Sequence, residues 1–275
     1  MSTKPELVKL IDTTLCTACR GCQVACKQWN ELPGLRTRQL GTYQNPPDLQ
    51  WNTWTLIRFQ EYEDKAGNFQ WNFRKDGCMH CTDAACVKVC PSGSLYYTPL
   101  KTVGIHHEKC IGCKECVAAC PFHIPKYDGK TDKVYKCDLC YSRIKESHAP
   151  ACVKSCPTGA LAIGDKDTMI KKAYAKVKQL GGDANVYGDK FVDGTHVIYV
   201  LQFKPEVYDE LPVNPSVPLS VIVWKDLLKP LGLLAAGGVL AGSFFHYIIH
   251  GPKTPPPTDE TNSGNEAGKT QEGGK

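Results

Sequence analysis

The sequence has 275 residues, 16 of them cysteine, and a formal net charge of +5 at pH 7. This length accommodates one large domain or two small ones. The positive charge is modest and no basic patch is interleaved with aromatic residues, so we expect no nucleic-acid partner. The N-terminal stretch MSTKPELVKLIDTTL has neither an apolar core nor a pair of arginines, and we expect no signal peptide there.

The first predicted element is a short strand beginning over residues 9–12, which leads into a group of closely spaced cysteines. This is the first of four quartets that together hold every cysteine of the chain. The quartets are Cys16, Cys19, Cys22 and Cys26; Cys78, Cys81, Cys86 and Cys90; Cys110, Cys113, Cys116 and Cys120; and Cys137, Cys140, Cys152 and Cys156. Such internal repetition indicates several copies of one structural unit.

Regular elements are predicted between and after the quartets. Two β-runs, WTLIRFQEYE and FQWNFRKD, lie on either side of a turn at residues 64–68 and predict a hairpin inserted between the first two quartets. After the last quartet, the spacing of apolar residues predicts a helix over residues 167–180, capped by Asp167 or Thr168. Residues 195–203 predict a buried strand, in which we expect His196 to be a core histidine.

The C-terminal quarter changes in composition. Residues 205–226 are rich in proline and predict an extended linker after a cluster domain over residues 1–204. Residues 227–250 contain a run from 231 to 249 without formal charge, about the length of a membrane-spanning helix. A buried core helix is the alternative. The polar, low-complexity residues 251–275 predict a disordered tail.

Side chains in and around the apolar run support the membrane interpretation. Its many glycines and alanines would let another helix approach closely, and Trp224, Lys225 and Tyr247 suit the two membrane interfaces. His246 lies near one end of the run. It is either a functional group that contacts a proton path or quinone or ligates a haem, or a helix-end residue that bonds a partner subunit or a headgroup, which we favour.

Three chemistries compete for the cysteines. A disulfide scaffold is typical of short secreted chains whose cysteines link distant segments, whereas each quartet here is local. Structural zinc prefers two separated CxxC pairs, a description that suits the fourth quartet alone. The third quartet, CIGCKECVAACP, matches the C-x2-C-x2-C-x3-C-P run of bacterial ferredoxins. The first quartet has the same spacing without the proline, and the second and fourth each widen one gap. The sequence therefore predicts [4Fe–4S] clusters.

Ferredoxin geometry also predicts how the quartets work together. In two-cluster ferredoxins the fourth cysteine of a run ligates the other cluster, so Cys26 is not expected to serve the cluster held by Cys16, Cys19 and Cys22. Quartets therefore work in pairs, giving four clusters in two ferredoxin-like units of an α+β fold. Spacing alone leaves open which quartets pair.

Cations lie beside many of the cysteines in sequence. A thiolate-ligated cluster is anionic and gains negative charge on reduction, so nearby cations favour the reduced form. Ordinary solvated positions are the alternative for each of them. The residues concerned are Arg20, Lys27, Lys88, Lys109, Lys114, Lys136 and Lys154.

The motifs resemble one family over residues 7 to 250. The segments that carry the resemblance include KLIDTTLCTACRGCQVACKQWN, RKDGCMHC, CIGCKECVAACPFHIP, VYKCDLC, PACVKSCPTGA, GTHVIYVL and VWKDLLKPL with FFHYI. They resemble the iron–sulfur (beta) subunit of the membrane-bound respiratory formate dehydrogenases of the N type. The cysteine pattern is shared with subunits of other molybdopterin reductases and of some hydrogenases, whereas the single C-terminal membrane helix is more specific.

The resemblance implies a nested pairing of the quartets, first with fourth and second with third. In the first quartet Lys27 stands where the family's run has proline, but the ligating cysteine is retained. The implied ligand sets are Cys16, Cys19, Cys22 and Cys156 for cluster 1; Cys26, Cys137, Cys140 and Cys152 for cluster 2; Cys78, Cys81, Cys86 and Cys120 for cluster 3; and Cys90, Cys110, Cys113 and Cys116 for cluster 4.

The resemblance also implies partners. A large subunit with a molybdenum or tungsten bis-pterin would oxidise formate, and a membrane cytochrome b subunit with haem would reduce quinone. This chain would carry electrons between them and hold no substrate site, in keeping with the absence of a nucleophile triad, phosphate loop or dinucleotide motif from the sequence. The alternatives are an iron–sulfur subunit of another molybdopterin oxidoreductase or membrane hydrogenase, and a metal-stabilised anchoring module without electron transfer.

Two arguments conflict over which side of the membrane holds the clusters. Lys225 and Lys229 precede the apolar run and Lys253 follows it, which leans mildly toward a cytoplasmic cluster domain. The resemblance implies the opposite: an inner-membrane, single-pass chain with its cluster domain in the periplasm. We follow the resemblance, and expect export of the folded domain together with a partner that bears a twin-arginine signal.

Overall fold

The computed structural model describes residues 6–64 and 67–251, with the side chains of 224–226 left out of the description. The chain divides into two units, Met1–Leu227 and Leu228–Lys275. The tail predicted to be disordered lies, beyond Gly251, outside the described residues. So does part of the turn of the predicted hairpin, at residues 65–66.

The described part of the first unit is built from short strands and helices. The strands are β1 (Leu7–Asp12), β2 (Thr55–Glu63), β3 (Phe69–Gly77), β4 (Leu95–Tyr97), β5 (Val103–Ile105), β6 (Lys126–Asp128), β7 (Lys133–Tyr135), β8 (Leu161–Asp165), β9 (Asn185–Tyr187) and β10 (Val197–Leu201). The α-helices are α1 (Gly21–Trp29), α2 (Ala85–Lys88), α3 (Glu115–Ala119), α4 (Tyr141–Lys145), α5 (Ala151–Lys154), α6 (Lys166–Leu180) and α7 (Leu219–Ile222). Single 3-10 turns occupy Thr13–Leu15, His107–Lys109 and Pro205–Val207.

A four-stranded sheet in the order β8-β1-β10-β9 separates two layers of the unit. β1 pairs in parallel with β10 and antiparallel with β8. Because side chains alternate between the faces of a strand, Val8 and Leu10 pack against α6 while Ile11 faces the opposite way. That opposite face packs against segments that carry cysteines, among them Cys22, Cys78 and Cys152. The cysteine-bearing segments thus pack against one face of this sheet.

The elements around this sheet agree with the sequence, apart from one cap. The strand predicted at residues 9–12 is β1, and the strand predicted over 195–203 contains β10. α6 begins at Lys166 and is capped by Asp165, whose carboxylate accepts a hydrogen bond from the Thr168 amide at 3.2 Å. The predicted caps Asp167 and Thr168 were therefore wrong, because Asp165 at the end of β8 supplies the acceptor one turn earlier.

His196 is a core histidine, as predicted. Its ring is fully buried at the entrance to β10. Nδ1 lies 2.8 Å from the carbonyl oxygen of His80, and Nε2 lies 2.9 Å from Oε1 of Glu6. Burial lowers the pKa of His196, although Glu6 acts in the opposite direction. The residue therefore joins β1 and β10 to the loop of the second quartet.

The predicted hairpin is formed by β2 and β3, which pair antiparallel along their whole length from Thr55 opposite Gly77 to Glu63 opposite Phe69. A buried charge network fixes its base. Asp76 accepts from Arg58 Nε at 2.9 Å and from Arg74 Nη1 at 3.3 Å. The Arg74 side chain is 3% exposed and also donates to the carbonyl of Asp209 at 2.7 Å.

Removal of the Asp76 carboxylate should strongly destabilise the first unit. Asp76→Ala leaves the buried Arg74 guanidinium without its counter-charge, so we expect the free energy of unfolding to fall by about 3–5 kcal/mol. Asp48 is the matched control, since its side chain also pairs with Arg58 but is 49% exposed; Asp48→Ala should cost less than about 1 kcal/mol. Tryptophan fluorescence in increasing urea measures both, and equal effects would contradict the prediction.

The segment over residues 205–226 is more structured than the predicted extended linker. Pro205–Val207 forms a 3-10 turn and Leu219–Ile222 forms α7. Tyr208 and Leu211 are buried, and the Asp209 amide donates to Oε1 of Gln60 at 2.9 Å. Hydrogen bonds with Gln60 and Arg74 hold the segment to the hairpin, and Tyr208 and Leu211 are buried in the same core as the base of the hairpin.

The second unit contains helix α8 (Lys229–His250), preceded by a π-helical stretch, Val223–Leu228. α8 has no buried residue and is the one helix within residues 6–64 and 67–251 that is long and apolar enough to cross a membrane, with a mean hydropathy of 1.6. Tyr247 is exposed near its end. The rings of His246 and His250 stack there, with centroids 4.7 Å apart.

Candidate metal centres

Packing of α1 against α5 brings the first and fourth quartets together. One cavity of about 370 Å³ at this junction is lined by Cys16, Cys19, Cys22 and Cys156. A second, of about 320 Å³, is lined by Cys26, Cys137, Cys140 and Cys152. Three neighbours in sequence and one distant cysteine thus converge at each place.

Packing of α2 against α3 brings the second and third quartets together. A cavity of about 320 Å³ is lined by Cys90, Cys110, Cys113 and Cys116. The remaining cysteines form a fourth group: the thiol of Cys81 is close enough to interact electrostatically with those of Cys78, Cys120 and Cys86. All sixteen cysteines are thereby assembled into four groups of four.

The dimensions of these sites exclude two of the three chemistries considered. All sixteen thiols are free, so no disulfide scaffold exists. In the described part of the chain, no three histidine, cysteine or acidic side chains converge closely enough to hold a single metal ion. The thiols of three groups instead line a common cavity without closing on one point, which suits a polynuclear cluster rather than one zinc ion.

A repeated backbone conformation shapes each binding loop. The residue immediately before the second cysteine of every quartet has a positive φ: Ala18 (55°), His80 (50°), Gly112 (69°) and Leu139 (61°). Left-handed residues of this kind turn successive amide groups toward one point and create concavities that bind anions, including iron–sulfur clusters. Gly112 suits this position best, because a Cβ there would lie 2.4 Å from Oδ1 of Asp132.

Two of the three fourth cysteines that precede a proline, Cys90 and Cys156, accept hydrogen bonds that lower their pKa, whereas burial raises the pKa of the third, Cys120, to about 11. After Cys90, the chain turns back and the Leu95 amide donates to Sγ of Cys90 at 3.5 Å. Although burial acts to raise the pKa of Cys90, this amide and the Ser92 hydroxyl hold it below its usual value. Likewise, burial acts to raise the pKa of Cys156, but hydrogen bonds from Thr158 and from the Leu161 amide hold it below its usual value. Hydrogen bonds to the sulfurs are one of the ways in which a protein sets a cluster potential.

Cys26 differs because Lys27 replaces the proline. The residue lies inside α1, so no turn follows it; instead, Nδ2 of Asn30, one helical turn later, lies 3.6 Å from its sulfur. Lys27 points away and donates from Nζ to the carbonyl of Asn52 at 2.7 Å. Where the ferredoxin motif has a proline turn, this chain continues as helix α1. Cys26 still lines the second cavity with Cys137 and Cys140.

Most of the thiols are held in the protonated state before a metal binds. Burial raises the pKa of Cys22 to about 11 and the pKa values of Cys116 and Cys140 to about 12. Because iron is bound by the thiolate form, cluster insertion must displace these protons. Burial therefore disfavours the ionised thiolate as long as no metal is bound to it.

Three fully buried lysines lie among the cysteines. Lys9, Lys75 and Lys136 are 1%, 3% and 1% exposed. Burial alone would lower the pKa of Lys75, but Cys152 and Cys22 in the ionised form that binds metal outweigh burial and raise this pKa. Lys136 donates from Nζ to the carbonyls of Val103 and Cys137 at 2.6 and 2.9 Å.

Of the seven cations expected near clusters, Lys136 is thus a buried neighbour, close to Cys86 and Cys120. Lys109 and Lys154 are exposed. Three others have partners of their own: Lys88 pairs with Asp83 at 2.5 Å, Lys114 lies over the ring of Tyr127, and Arg20 lies over the ring of Phe59. Lys9 and Lys75 were missed. Lys75 lies three residues before Cys78 in sequence, but the cavities that it lines are formed by cysteines of the first and fourth quartets, which only tertiary packing brings to it.

The four groups form a row. Cys22 of the first group interacts with Cys152 of the second, Cys137 of the second with Cys78 of the third, and Cys86 of the third with Cys116 of the fourth. The exposed cysteines are Cys19 and Cys113, in the first and last groups. Four adjacent thiolate cages whose end members reach the surface define a multi-cluster protein of ferredoxin type, built for electron transfer.

Comparison with known proteins identifies the family. Residues 15–94 and 69–166 each match the 4Fe-4S dicluster domain, and residues 217–260 match the family described as formate dehydrogenase N, transmembrane. The chain is 44% identical over 264 residues to the nitrate-inducible formate dehydrogenase iron-sulfur subunit of Escherichia coli, covering 94% of this chain and 90% of that protein.

Other relatives agree. Identity to the formate dehydrogenase iron-sulfur subunit of Haemophilus influenzae is 43% over 257 residues, covering 90% of this chain and 82% of the relative. Identity to the formate dehydrogenase-O iron-sulfur subunit of E. coli is 43% over 254 residues, with 90% and 84% covered. The chain belongs to the iron–sulfur subunits of the respiratory formate dehydrogenases. It carries four [4Fe–4S] clusters, is anchored in a membrane, and acts in electron transfer beside a catalytic partner subunit.

Proposed function

We propose that the four spatial groups are the ligand sets of four separate clusters. Cluster 1 is held by Cys16, Cys19, Cys22 and Cys156, and cluster 2 by Cys26, Cys137, Cys140 and Cys152. Cluster 3 is held by Cys78, Cys81, Cys86 and Cys120, and cluster 4 by Cys90, Cys110, Cys113 and Cys116. Three cavities, each lined by four cysteines, and one group of neighbouring thiols support this assignment. The two dicluster-domain matches cover continuous stretches of sequence, so they do not say which distant cysteines share a cluster.

The chain works as a linear relay between two partners. A molybdenum or tungsten bis-pterin subunit delivers electrons from formate at one end, and a membrane cytochrome b subunit with haem accepts them for quinone at the other. Bound clusters supply the one-electron steps. The observation that carries this proposal is the row of four groups with exposed cysteines in its first and last members.

Metal analysis of the purified complex tests the relay. Each chain should carry about sixteen iron and sixteen sulfide, four of each per cluster, and the complex should reduce a quinone with formate. Zinc in stoichiometric amount, or iron for two clusters, would refute the four-cluster assignment. A full iron content with no formate-dependent reduction of quinone would refute the proposed partners alone.

We propose that the cluster domain lies in the periplasm and α8 in the inner membrane. Clusters are inserted before export, so the domain crosses the membrane folded, bound to the catalytic partner that carries a twin-arginine signal. α8 then enters the bilayer. The match of residues 217–260 to the formate dehydrogenase N transmembrane family and the wholly exposed apolar surface of α8 support the membrane anchor, and the resemblance to the N-type enzymes supports the periplasmic side.

Protease added to intact spheroplasts should digest the cluster domain. Deletion of the partner's twin-arginine signal should leave the domain inside the cell and protected. The physical reason is that this chain's route across the membrane depends on the bound partner. A domain that resists protease until the membrane is broken, with the partner exported normally, would contradict the periplasmic assignment.

A further inference from the structure

Lys75 lies at the junction of two metal centres. It is near the end of β3, and its side chain lines the first cavity together with Cys16 and Cys22. The same side chain lines the second cavity together with Cys26 and Cys152. With a side chain that is almost completely buried, it stands between two cysteine cages rather than on the surface of one.

The charge of Lys75 is not balanced by a carboxylate. Its neighbour Asp76 is engaged by Arg58 and Arg74. No ion pair joins Lys75 to an acidic residue within residues 6–64 and 67–251. The groups that line the two cavities with it are cysteines of both cages, which become thiolates when they bind metal. The two cages are thus the counter-charge of this ammonium.

This placement has an electrostatic consequence for both clusters. A ligated cluster is anionic and becomes more negative when it is reduced. A unit charge in a buried environment acts much more strongly than the same charge in water. One ammonium between two clusters therefore favours the reduced state of each and weakens the repulsion between them when both are reduced.

We propose that Lys75 is a shared positioning cation that raises the reduction potentials of clusters 1 and 2 together. The proposal rests on the ligand sets proposed above. Lys75 acts through the two thiolate cages and transfers no electron or proton itself. Its role is to favour the reduced state of both clusters that α1 and α5 hold and to weaken the repulsion between them when both are reduced.

The test replaces Lys75 with methionine in the complete complex and follows each cluster by redox-titrated EPR. Lys75→Met keeps the length of the side chain and removes the charge. Both cluster 1 and cluster 2 should become harder to reduce, each by at least tenfold in the reduction equilibrium, which is 59 mV for one electron. Clusters 3 and 4 should change by less than half as much.

Two further variants separate charge from packing. Lys154→Met removes an equal charge close in sequence to Cys152 and Cys156, but the side chain is exposed and screened by water; all four potentials should stay close to the wild-type values. Lys75→Arg retains the charge and should keep both potentials close to the wild-type values.

Each outcome decides the proposal. A fall in both potentials for Lys75→Met, with neither control doing so, supports it. Retained clusters with one or neither potential lowered overturn it. If Lys75→Met loses iron, an iron-replete Lys75→Arg with normal potentials supports a requirement for charge, and loss of iron from both variants overturns it. The ligand sets are tested separately by cysteine variants, so their failure is distinguishable from failure of the role of Lys75.

Discussion

Removal of the iron–sulfur clusters should unfold the segments around α2 and α5 while the layer of α6 and the sheet remains folded. α2 and α5 have four residues each, far below the roughly 12–15 residues at which an isolated helix is even marginally stable. Their buried side chains include Cys86 and Cys152. Their stability therefore depends on metal–ligand bonds, and the free energy of cluster binding is folding free energy there.

The layer of α6 provides the internal control for this experiment. Its core is formed by Val8, Leu10, Ala173, Ile198 and Val200 and contains no cysteine. We expect hydrogen exchange of the anaerobically chelated protein to lose protection in peptides from α2 and α5 and to keep most of it in α6. Retained protection in α2 and α5 would show that these segments fold without metal, and equal loss in α6 would show that the sheet layer also depends on the clusters.

Local patterns were sufficient to predict β1, the hairpin, α6 and the strand that contains β10, but not the short helices α1, α2, α3 and α5 that carry cysteines. The strand at residues 9–12, the hairpin and α6 were predictable because each has a periodic run of apolar residues bounded by turn residues. The extended linker was not, because Tyr208 and Leu211 are buried against a hairpin that is distant in sequence. Proline content indicates that a segment will not form a regular helix or central strand. It does not indicate which surface the segment packs against.

The metal centres were predictable to the level of ligand type and number. Cysteine spacing predicted four clusters because three thiols two residues apart converge on one cube. Spacing could not decide which distant cysteine completes each group, since that depends on the packing of α1 against α5. It could not find Lys75 either. A lysine in a strand that alternates like FRKD has no sequence signature of burial, and β3 reaches the cages through tertiary packing alone.

Cys26→Ser and Cys16→Ser should perturb different clusters although the two cysteines are only ten residues apart in sequence. Cys26 lies with Cys137 and Cys140 in the second cavity, and Cys16 lies with Cys22 in the first. A serine oxygen is a poorer ligand for iron than a thiolate. We therefore expect each variant to change one EPR signal, with loss of up to about four of the sixteen irons where the cluster does not survive.

The variants Cys156→Ser and Cys140→Ser complete the experiment from the other side of the pair. Cys156 comes late in the sequence but should alter the same signal as Cys16, whereas Cys140 should alter the same signal as Cys26. We therefore expect cysteines that are remote in sequence to affect the same EPR signal, and the first and last cysteines of the first motif to affect different signals. A common signal for Cys16 and Cys26 would mean that the first motif ligates a single cluster by itself. In that case Cys26 would not ligate cluster 2 with Cys137 and Cys140. The proposed pairing of the first quartet with the fourth would then be wrong.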